Sequence, residues 1–268
     1  MQTTLISRRF INCVYTKEGK GFPLMLVHGF AEDSRIFQKQ VKELKKEYTI
    51  LVPDLPGSGQ SALPDEEMSM ELLADFLHEI LLQEKIEKII LAGHSMGGYA
   101  GLAFAEKYEE WLLALTLLHS SAFEDDEAKK ENRRKSIKLI KNEGKEIFLK
   151  AMIPNLYSEH SKKTKQPEMD THLTMAMEAS STSLQAYYEA MINRPSRTDV
   201  LKKLKVPVQF IIGTDDQAIP LTQSLKQCSF PGISKVDILQ QTGHTSMFEC
   251  PADLNSILNS FCKYNLNV

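Results

Sequence analysis

The sequence has few cysteines, no marked excess of either charge and no apolar run long enough to cross a bilayer. Its four cysteines, Cys13, Cys228, Cys250 and Cys262, are far apart and lack C-x-x-C spacing, which argues against a zinc site or a redox pair and favours free thiols. The seven histidines include no H-E-x-x-H or similar ligand cluster. We therefore predict no metal and no cofactor.

The charge balance excludes further classes of partner. With 32 Lys and Arg against 35 Asp and Glu, the formal net charge is -3, so nothing indicates a basic surface for nucleic acid or an anionic membrane. The charged segment 124–135 alternates in sign and is predicted to be a solvated helix face. No apolar segment follows a basic start, as it would in a secretory signal. We predict a cytoplasmic protein with a small-molecule substrate, no nucleic-acid or membrane partner, and either a monomeric or a homodimeric state.

Strand-like and helix-like segments alternate along most of the chain, which predicts an α/β fold with a mostly parallel central sheet flanked by helices. A chain of 268 residues is long enough for one buried core with an insertion. The predicted parallel strands are residues 24–27, 49–52, 89–92, 113–118, 206–212 and 236–239, and an antiparallel edge is predicted at 10–15. The predicted helices outside the insertion are residues 36–44, 70–82, 99–108 and 252–261.

The strand pattern disappears between residues 124 and 198, which predicts a helical cap inserted into a core made of residues 1–123 and 199–268. Five of the eleven methionines lie in this insertion, and a flexible thioether suits a surface that accepts varied apolar groups. Apolar residues also recur there at helical spacing, a pattern that plain core packing produces as well. From this pattern we predict that Met152, Met177 and Tyr188 line a substrate pocket.

The most informative motif is G-x-S-x-G at residues 93–97, between an apolar strand-like run and a helix-like run. A strand that turns into a helix within one residue strains that residue, and the flanking Gly93 and Gly97 let neighbouring backbone come close. The glycines alone also fit an ordinary turn between a strand and a helix. In this context, Ser95 is predicted to be a nucleophile held above the sheet.

A serine hydroxyl becomes an effective nucleophile when a general base is within hydrogen-bond reach and a third group orients that base. Candidates for both groups follow strand-like runs later in the chain. Asp215 and Asp216 come after the strand predicted at 206–212, and His244 lies on a loop after the next strand. We predict His244 as the general base and Asp216 as the orienting acid, with Asp215 as its competitor.

These motifs resemble those of the α/β-hydrolase family, whose nucleophile, acid and base occur in the same chain order. Members commonly place the acid three residues after a glycine and four before a proline, which fits Asp216 between Gly213 and Pro220. Their base commonly follows a glycine and precedes Glu-x-Pro, which fits His244. The resemblance covers nearly the whole chain outside the predicted cap.

The segment His28-Gly29-Phe30, at the end of a strand-like run, resembles the oxyanion loop of this family. By this resemblance, the backbone N–H groups of Phe30 and Met96 bind the oxygen that becomes negative during acyl transfer. His28 is expected to brace the loop. His119 follows the strand predicted at 113–118 and is predicted to line the acyl or alcohol pocket, although it also fits a packed loop residue.

Together, these features predict a serine hydrolase that cleaves a small, fairly apolar ester or related acyl compound through an acyl-enzyme intermediate. Within the resemblance, a serine nucleophile argues against haloalkane dehalogenases and epoxide hydrolases, which use aspartate at that position. Carbon–carbon bond hydrolases, lactonases and perhydrolases share the predicted residues and stay open, because the fold does not fix specificity. A ligand receptor or signalling protein of the same fold, with little turnover, is a further alternative.

Overall fold

An eight-stranded sheet forms the centre of the computed structural model, which describes residues 2–266. Its strands are β1 (Gln2–Thr4), β2 (Val14–Gly19), β3 (Pro23–Val27), β4 (Thr49–Pro53), β5 (Ile89–His94), β6 (Leu112–Leu118), β7 (Val208–Gly213) and β8 (Ser234–Leu239). The strand order is β1-β2-β4-β3-β5-β6-β7-β8. The β1–β2 and β2–β4 pairs are antiparallel and all other neighbours are parallel, so the predicted α/β class with a mostly parallel sheet is confirmed.

The antiparallel edge lies elsewhere than predicted. Of residues 10–15, only Val14 and Tyr15 belong to a strand, and the edge consists of β1 and the longer β2. Phe10 is fully buried in a turn, where its ring meets that of Phe76 edge-on with centroids 5.2 Å apart. The apolar residues of this segment therefore reflect a buried turn as much as a strand.

Within residues 2–266, twelve α-helices accompany the sheet: α1 (Gln38–Leu44), α2 (Met70–Glu84), α3 (Met96–Lys107), α4 (Glu127–Glu143), α5 (Lys145–Met152), α6 (Glu159–Thr164), α7 (Gln166–Glu178), α8 (Ser181–Asn193), α9 (Thr198–Lys203), α10 (Leu221–Gln227), α11 (Ser246–Glu249) and α12 (Pro251–Leu266). The four helices predicted outside the insertion correspond to α1, α2, α3 and α12. A 3₁₀ turn, Ser34–Phe37, replaces the predicted start of α1. Among the described helices, none combines the length and apolar character that crossing a membrane requires.

The packing of α2 and α3 sets the position of the site. The α2 helix begins at a cap, where the Ser69 side chain accepts a hydrogen bond from the N–H of Leu72 at 3.0 Å. It ends at Lys85, whose left-handed backbone (φ +55°) stops the helix. All six residues of β5 are buried, and α3, which follows directly, contacts both β5 and α2. The end of β5 that precedes Ser95 is thus held by α3, which in turn packs against α2.

Five helices, α4–α8, occupy the chain between β6 and α9, and we refer to them as the cap helices. They contact one another, α4 packing on α8 and α5, and α5 on α7. Several contacts attach them to the rest of the chain; for example, Arg194 donates to the carbonyl oxygen of Phe123 at 2.9 Å, and the Tyr187 hydroxyl donates to that of Pro56 at 2.7 Å. A separate cap bounded at residues 124 and 198 stays a prediction.

Candidate active site

Ser95 lies in the turn between β5 and α3, and its backbone is strained. Its φ of +50° and ψ of -114° lie outside the regions that residues with a side chain usually adopt. Two contacts hold the turn: the Ser95 N–H donates to the carbonyl oxygen of Leu118 at 2.9 Å, and the Ser120 hydroxyl donates to that of Ser95 at 2.8 Å. Neighbouring strand ends therefore fix the conformation of Ser95.

The two glycines of the motif are required by close backbone approach. A Cβ on Gly93 would lie 2.4 Å from the carbonyl oxygen of Gly97, and one on Gly97 would lie 2.3 Å from that of Val27. Both distances are far shorter than a van der Waals contact. The first turn of α3 can therefore sit directly on the ends of β3 and β5 only when these positions lack side chains.

Asp216 and His244 meet on the loops that follow β7 and β8. The Nδ1 atom of His244 lies 2.8 Å from Oδ2 of Asp216, while Oδ1 of Asp216 accepts the backbone N–H groups of Ala218 and Ile219, both at 2.9 Å. Burial alone would raise the pKa of Asp216, but the neighbouring histidines hold it well below its ordinary value. Asp215 instead accepts a hydrogen bond from the preceding threonine hydroxyl at 2.8 Å. Of the two candidate acids, Asp216 is thus the one in contact with His244.

Ser95 and His244 border one cavity of about 240 Å³. The apolar part of its wall includes Phe30, Met152, Leu156, Tyr188, Met191 and Ile219. Met152 and Tyr188 border this cavity, whereas Met177 does not and is partly buried against the core. A larger cleft of about 650 Å³ lies between α1 and α7 and includes none of the predicted site residues.

His119 lies behind Asp216, and its predicted place on the pocket wall is corrected. The side chain is almost fully buried, with Nδ1 3.4 Å from Oδ2 of Asp216 and Nε2 2.9 Å from the hydroxyl of Ser246. A carboxylate and a hydroxyl draw the ring into the protein, away from the cavity. Burial lowers the pKa of His119 despite the nearby carboxylate, which favours a neutral imidazole.

Of the two residues whose amides are predicted to bind the oxyanion, Phe30 borders the cavity and Met96 directly follows Ser95. Phe30 follows β3 and stacks on Tyr188 with ring centroids 4.2 Å apart, and Met96 is the first residue of α3. Neither backbone N–H donates a hydrogen bond to another group within residues 2–266. His28 braces this loop, because its Nε2 accepts the N–H of Leu55 at 3.0 Å and its Nδ1 lies 2.8 Å from the carbonyl oxygen of Gly29.

A buried carboxylate, Glu32, connects the loops around the cavity. Its Oε2 accepts the N–H of Gly29 at 2.6 Å and lies 2.9 Å from Nδ1 of His94, whose Nε2 lies 2.9 Å from the carbonyl oxygen of His244. Burial would raise the pKa of Glu32, but His94 and His172 lower it to about 2. Burial would lower the pKa of His94, yet Glu32 raises it. Neither Glu32 nor His172 belongs to a motif that singles it out in the sequence.

His172, on α7, is expected to make the stability of the fold depend on pH. Its Nε2 lies 3.8 Å from Oε1 of Glu32, but burial lowers its pKa from 6.5 to about 4. Below pH 6.5 the unfolded chain binds a proton that the folded protein takes up only near pH 4, so stability present above this window is lost as the pH falls through it. Between pH 7 and pH 5 we expect the wild type to lose about 2 kcal/mol more unfolding free energy than His172→Gln, measured by urea denaturation.

The glutamine variant can still accept a hydrogen bond from Tyr157, whose hydroxyl lies 3.3 Å from Nδ1 of His172, but it does not titrate. Carboxylates that titrate in the same range are common to both proteins and cancel in the comparison. Equal losses of stability in the two proteins would show that His172 titrates alike in the folded and unfolded chain.

One group of side chains has the composition of a metal site. Among the described residues, ligand atoms of His119, Asp216 and His244 lie within 4.8 Å of one another. An ion placed between them would compete with the short contact between Asp216 and His244. A serine nucleophile assisted by that contact would need no ion. The absence of a metal and of any other cofactor stays a prediction.

The chain is similar to known proteins in both sequence and structure. A sequence model of the alpha/beta hydrolase fold matches residues 23–251. The chain belongs to the α/β-hydrolase family. The matched residues include β3 to β8 and the cap helices, and the match supports a hydrolase.

Known α/β hydrolases with diverse substrates are similar over most of the chain. A thermophilic esterase from Thermogutta terrifontis, solved with malate bound, superposes with a TM-score of 0.91 and 29% identity over 99% of this chain and 98% of its own. The 2-hydroxy-6-oxo-6-(2'-aminophenyl)hexa-2,4-dienoic acid hydrolase of Metapseudomonas resinovorans is 24% identical over 94% of this chain and 90% of its own length. Lipase 1 of Psychrobacter immobilis is 28% identical over 88% of this chain and 76% of its own.

Proposed function

We propose that this α/β hydrolase is a serine hydrolase that cleaves a small carboxylic ester through an acyl-enzyme intermediate. The observation that carries the proposal is the common cavity of Ser95 and His244, with the 2.8 Å contact from His244 to Asp216 behind it. A nucleophile, a base and a group that orients the base are what acyl transfer requires. The similarity to an esterase over 99% of the chain supports the ester as substrate.

In this mechanism, the Ser95 hydroxyl attacks the ester carbonyl and its proton passes to Nε2 of His244, the ring nitrogen that does not face Asp216. The carboxylate of Asp216 keeps the ring oriented and stabilises its positive charge. The amides of Phe30 and Met96 bind the tetrahedral oxyanion. His244 then protonates the departing alcohol, and a water molecule that loses its proton to His244 hydrolyses the acyl enzyme and releases the acid.

The walls of the cavity support a small acyl group with an apolar part. The cap helices contribute Met152, Tyr188 and Met191, and the core contributes Phe30 and Ile219. A volume of about 240 Å³ leaves little room for a long acyl chain. We include in the proposal that residues 124–198 form a cap that closes this cavity and sets specificity.

A carbon–carbon bond hydrolase is the second candidate. It would use the same serine, histidine and aspartate, and the similarity to a dienoic acid hydrolase over 94% of the chain favours it. The two functions differ in the bond that breaks, which is a carbon–oxygen bond in an ester and a carbon–carbon bond in the second candidate. A series of ester substrates therefore separates them.

The test is stopped-flow hydrolysis of p-nitrophenyl esters from acetate to decanoate. We expect a burst of p-nitrophenolate followed by sustained turnover, with kcat/KM highest for the short esters, because the cavity is small. An acyl enzyme detected by intact-protein mass spectrometry during the burst would add direct support. No release above the uncatalysed rate would contradict the esterase proposal and favour the dienoic acid substrate. A single equivalent without turnover would indicate a ligand receptor.

A further inference from the structure

The cavity at Ser95 carries positive charge that the hydrolysis of a neutral ester does not use. Besides its apolar wall, the cavity is lined by Lys129 and Arg133 of α4 and by the ring of Tyr99. Lys129 and Arg133 are four residues apart, so they project from the same side of the helix. Part of the predicted solvated face of this helix is therefore turned inward.

The acidic groups nearby do not balance this charge. One buried carboxylate, Asp125, serves three cations: Arg133 Nε at 2.5 Å, Arg194 Nη2 at 3.0 Å and Lys129 Nζ at 4.0 Å. Glu32 is the acid on the cavity wall, and it is engaged by the oxyanion loop and a neighbouring histidine. At the α4 end of the cavity, three cations thus share a single carboxylate.

Some hydrogen-bond donors of Arg133 have no acceptor within residues 2–266. Arg133 donates through Nε alone, and within residues 2–266 its two Nη groups donate no hydrogen bond. Its side chain is 13% exposed, which shields it from bulk water, while that of Lys129 is 31% exposed. A guanidinium edge in a largely buried position is the protein group best matched to a carboxylate.

The pKa of the Tyr99 hydroxyl is lowered by the same positive charges. Burial alone would raise the pKa of Tyr99, but Arg194, Lys129 and Arg133 together hold it below its ordinary value. Arg194 lies directly over the ring, with Cζ 4.0 Å from the centroid. A field that stabilises a phenolate also stabilises a bound carboxylate.

We propose that Arg133 and Lys129 bind a carboxylate group of the substrate, so that the natural ester is an anion rather than a neutral compound. The inference rests on the ester hydrolysis proposed above and specifies its substrate class. It also assigns the two sides of the cavity: the apolar wall holds the hydrocarbon part of the substrate, and the α4 side holds its charge.

The test compares esters that differ only in a carboxylate and its neutral amide. Suitable pairs are monoethyl glutarate and monoethyl adipate, with the charge on the acyl side, and 4-acetoxybutyrate, with the charge on the alcohol side, each against its primary amide. We expect at least one acid to exceed its amide in kcat/KM by about 10- to 100-fold, the usual contribution of a desolvated charge-assisted hydrogen bond. Released alcohol or acetate is measured by a coupled assay.

Substitutions on α4 locate the effect. In Arg133→Gln the ratio of acid to amide is expected to fall by about 10-fold or more, and in Lys129→Gln by a smaller factor, because Lys129 is more exposed. Arg134→Gln is the matched control: it removes the same charge one residue along, where the side chain is 45% exposed and pairs with Glu131 at 3.6 Å. We expect Arg134→Gln to leave the ratio of kcat/KM for acid and amide unchanged. If Arg133→Gln does not fold, since it also loses its contact with Asp125, Lys129→Gln carries the test.

The proposal is overturned if the wild type hydrolyses acid and amide equally well, or if neither α4 substitution changes the ratio. Should no ester be hydrolysed at all, the proposed function fails, and calorimetric binding of adipate to the unmodified protein decides about the carboxylate site. Binding that disappears in Arg133→Gln and persists in Arg134→Gln supports the site. No adipate binding to the wild type rejects it.

Discussion

Replacing Ser95 with alanine is expected to lower kcat/KM for the best p-nitrophenyl ester by about 10⁴- to 10⁶-fold. Without the hydroxyl, no acyl enzyme forms, and the remaining rate comes from water held in a cavity that still contains His244 and the oxyanion amides. The fold should persist, because the Ser95 backbone supplies the contacts that hold the turn. Steady-state hydrolysis and the missing burst measure the effect.

The matched control for this substitution is Ser121→Ala. Ser121 is a buried serine near the same end of the sheet that does not border the cavity, and its hydroxyl accepts the N–H of Phe123 at 3.2 Å. We expect its loss to change turnover by less than about fivefold. If Ser95→Ala kept activity within tenfold of the wild type, the serine mechanism would be wrong, whatever the control showed.

The second large effect is expected from Asp216→Asn, which should reduce kcat by about 10³- to 10⁴-fold. Oδ2 of Asp216 faces Nδ1 of His244 at 2.8 Å and Nδ1 of His119 at 3.4 Å. An amide at this place removes the charge that stabilises the imidazolium, and its NH₂ group favours the wrong tautomer of His244. The loss should appear in kcat more than in KM, because Asp216 does not border the cavity.

Asp215→Asn is the natural comparison, since the two acids are adjacent and the sequence leaves both open. Asp215 accepts its side-chain hydrogen bond from the threonine before it and has no contact with His244. Its variant should stay within about threefold of the wild type, because the amide oxygen of asparagine can accept the same hydrogen bond. A larger loss in Asp215→Asn than in Asp216→Asn would exchange the roles of the two residues.

The core of the fold is predictable because its strands are buried on both faces and therefore appear as apolar runs. The segment 89–92 is such a run, and it forms most of β5. The outermost strand, Gln2–Thr4, is polar, and its pairing with Val14–Thr16 is a long-range contact that leaves no trace in the local pattern. Conversely, the buried turn at Phe10 resembles a strand in sequence because burial and strand formation select the same side chains.

Some residues of the candidate site are recognisable in the sequence, and others are not. Ser95, Asp216 and His244 stand out in the sequence as candidates because each lies in a short motif, and the structure places Ser95 and His244 on one cavity with Asp216 beside His244. Glu32 and Arg133 do not stand out, because their importance depends on partners far away in the chain, His94 for Glu32 and the cavity wall for Arg133. The alternating charges of segment 124–135 do describe a helix with solvated positions, but a sequence does not show which side of that helix meets the core.

The position of Glu32 has a mechanical consequence. One carboxylate contacts the backbone of the loop at Gly29 and the imidazole of His94, the residue before Ser95, and that imidazole reaches the backbone of His244. Three segments that arrive from separate strands are thus linked through one carboxylate, and His172 brings α7 to within 3.8 Å of it. A substitution at Glu32 would therefore affect the loop at Gly29, the turn at Ser95 and the loop at His244 together.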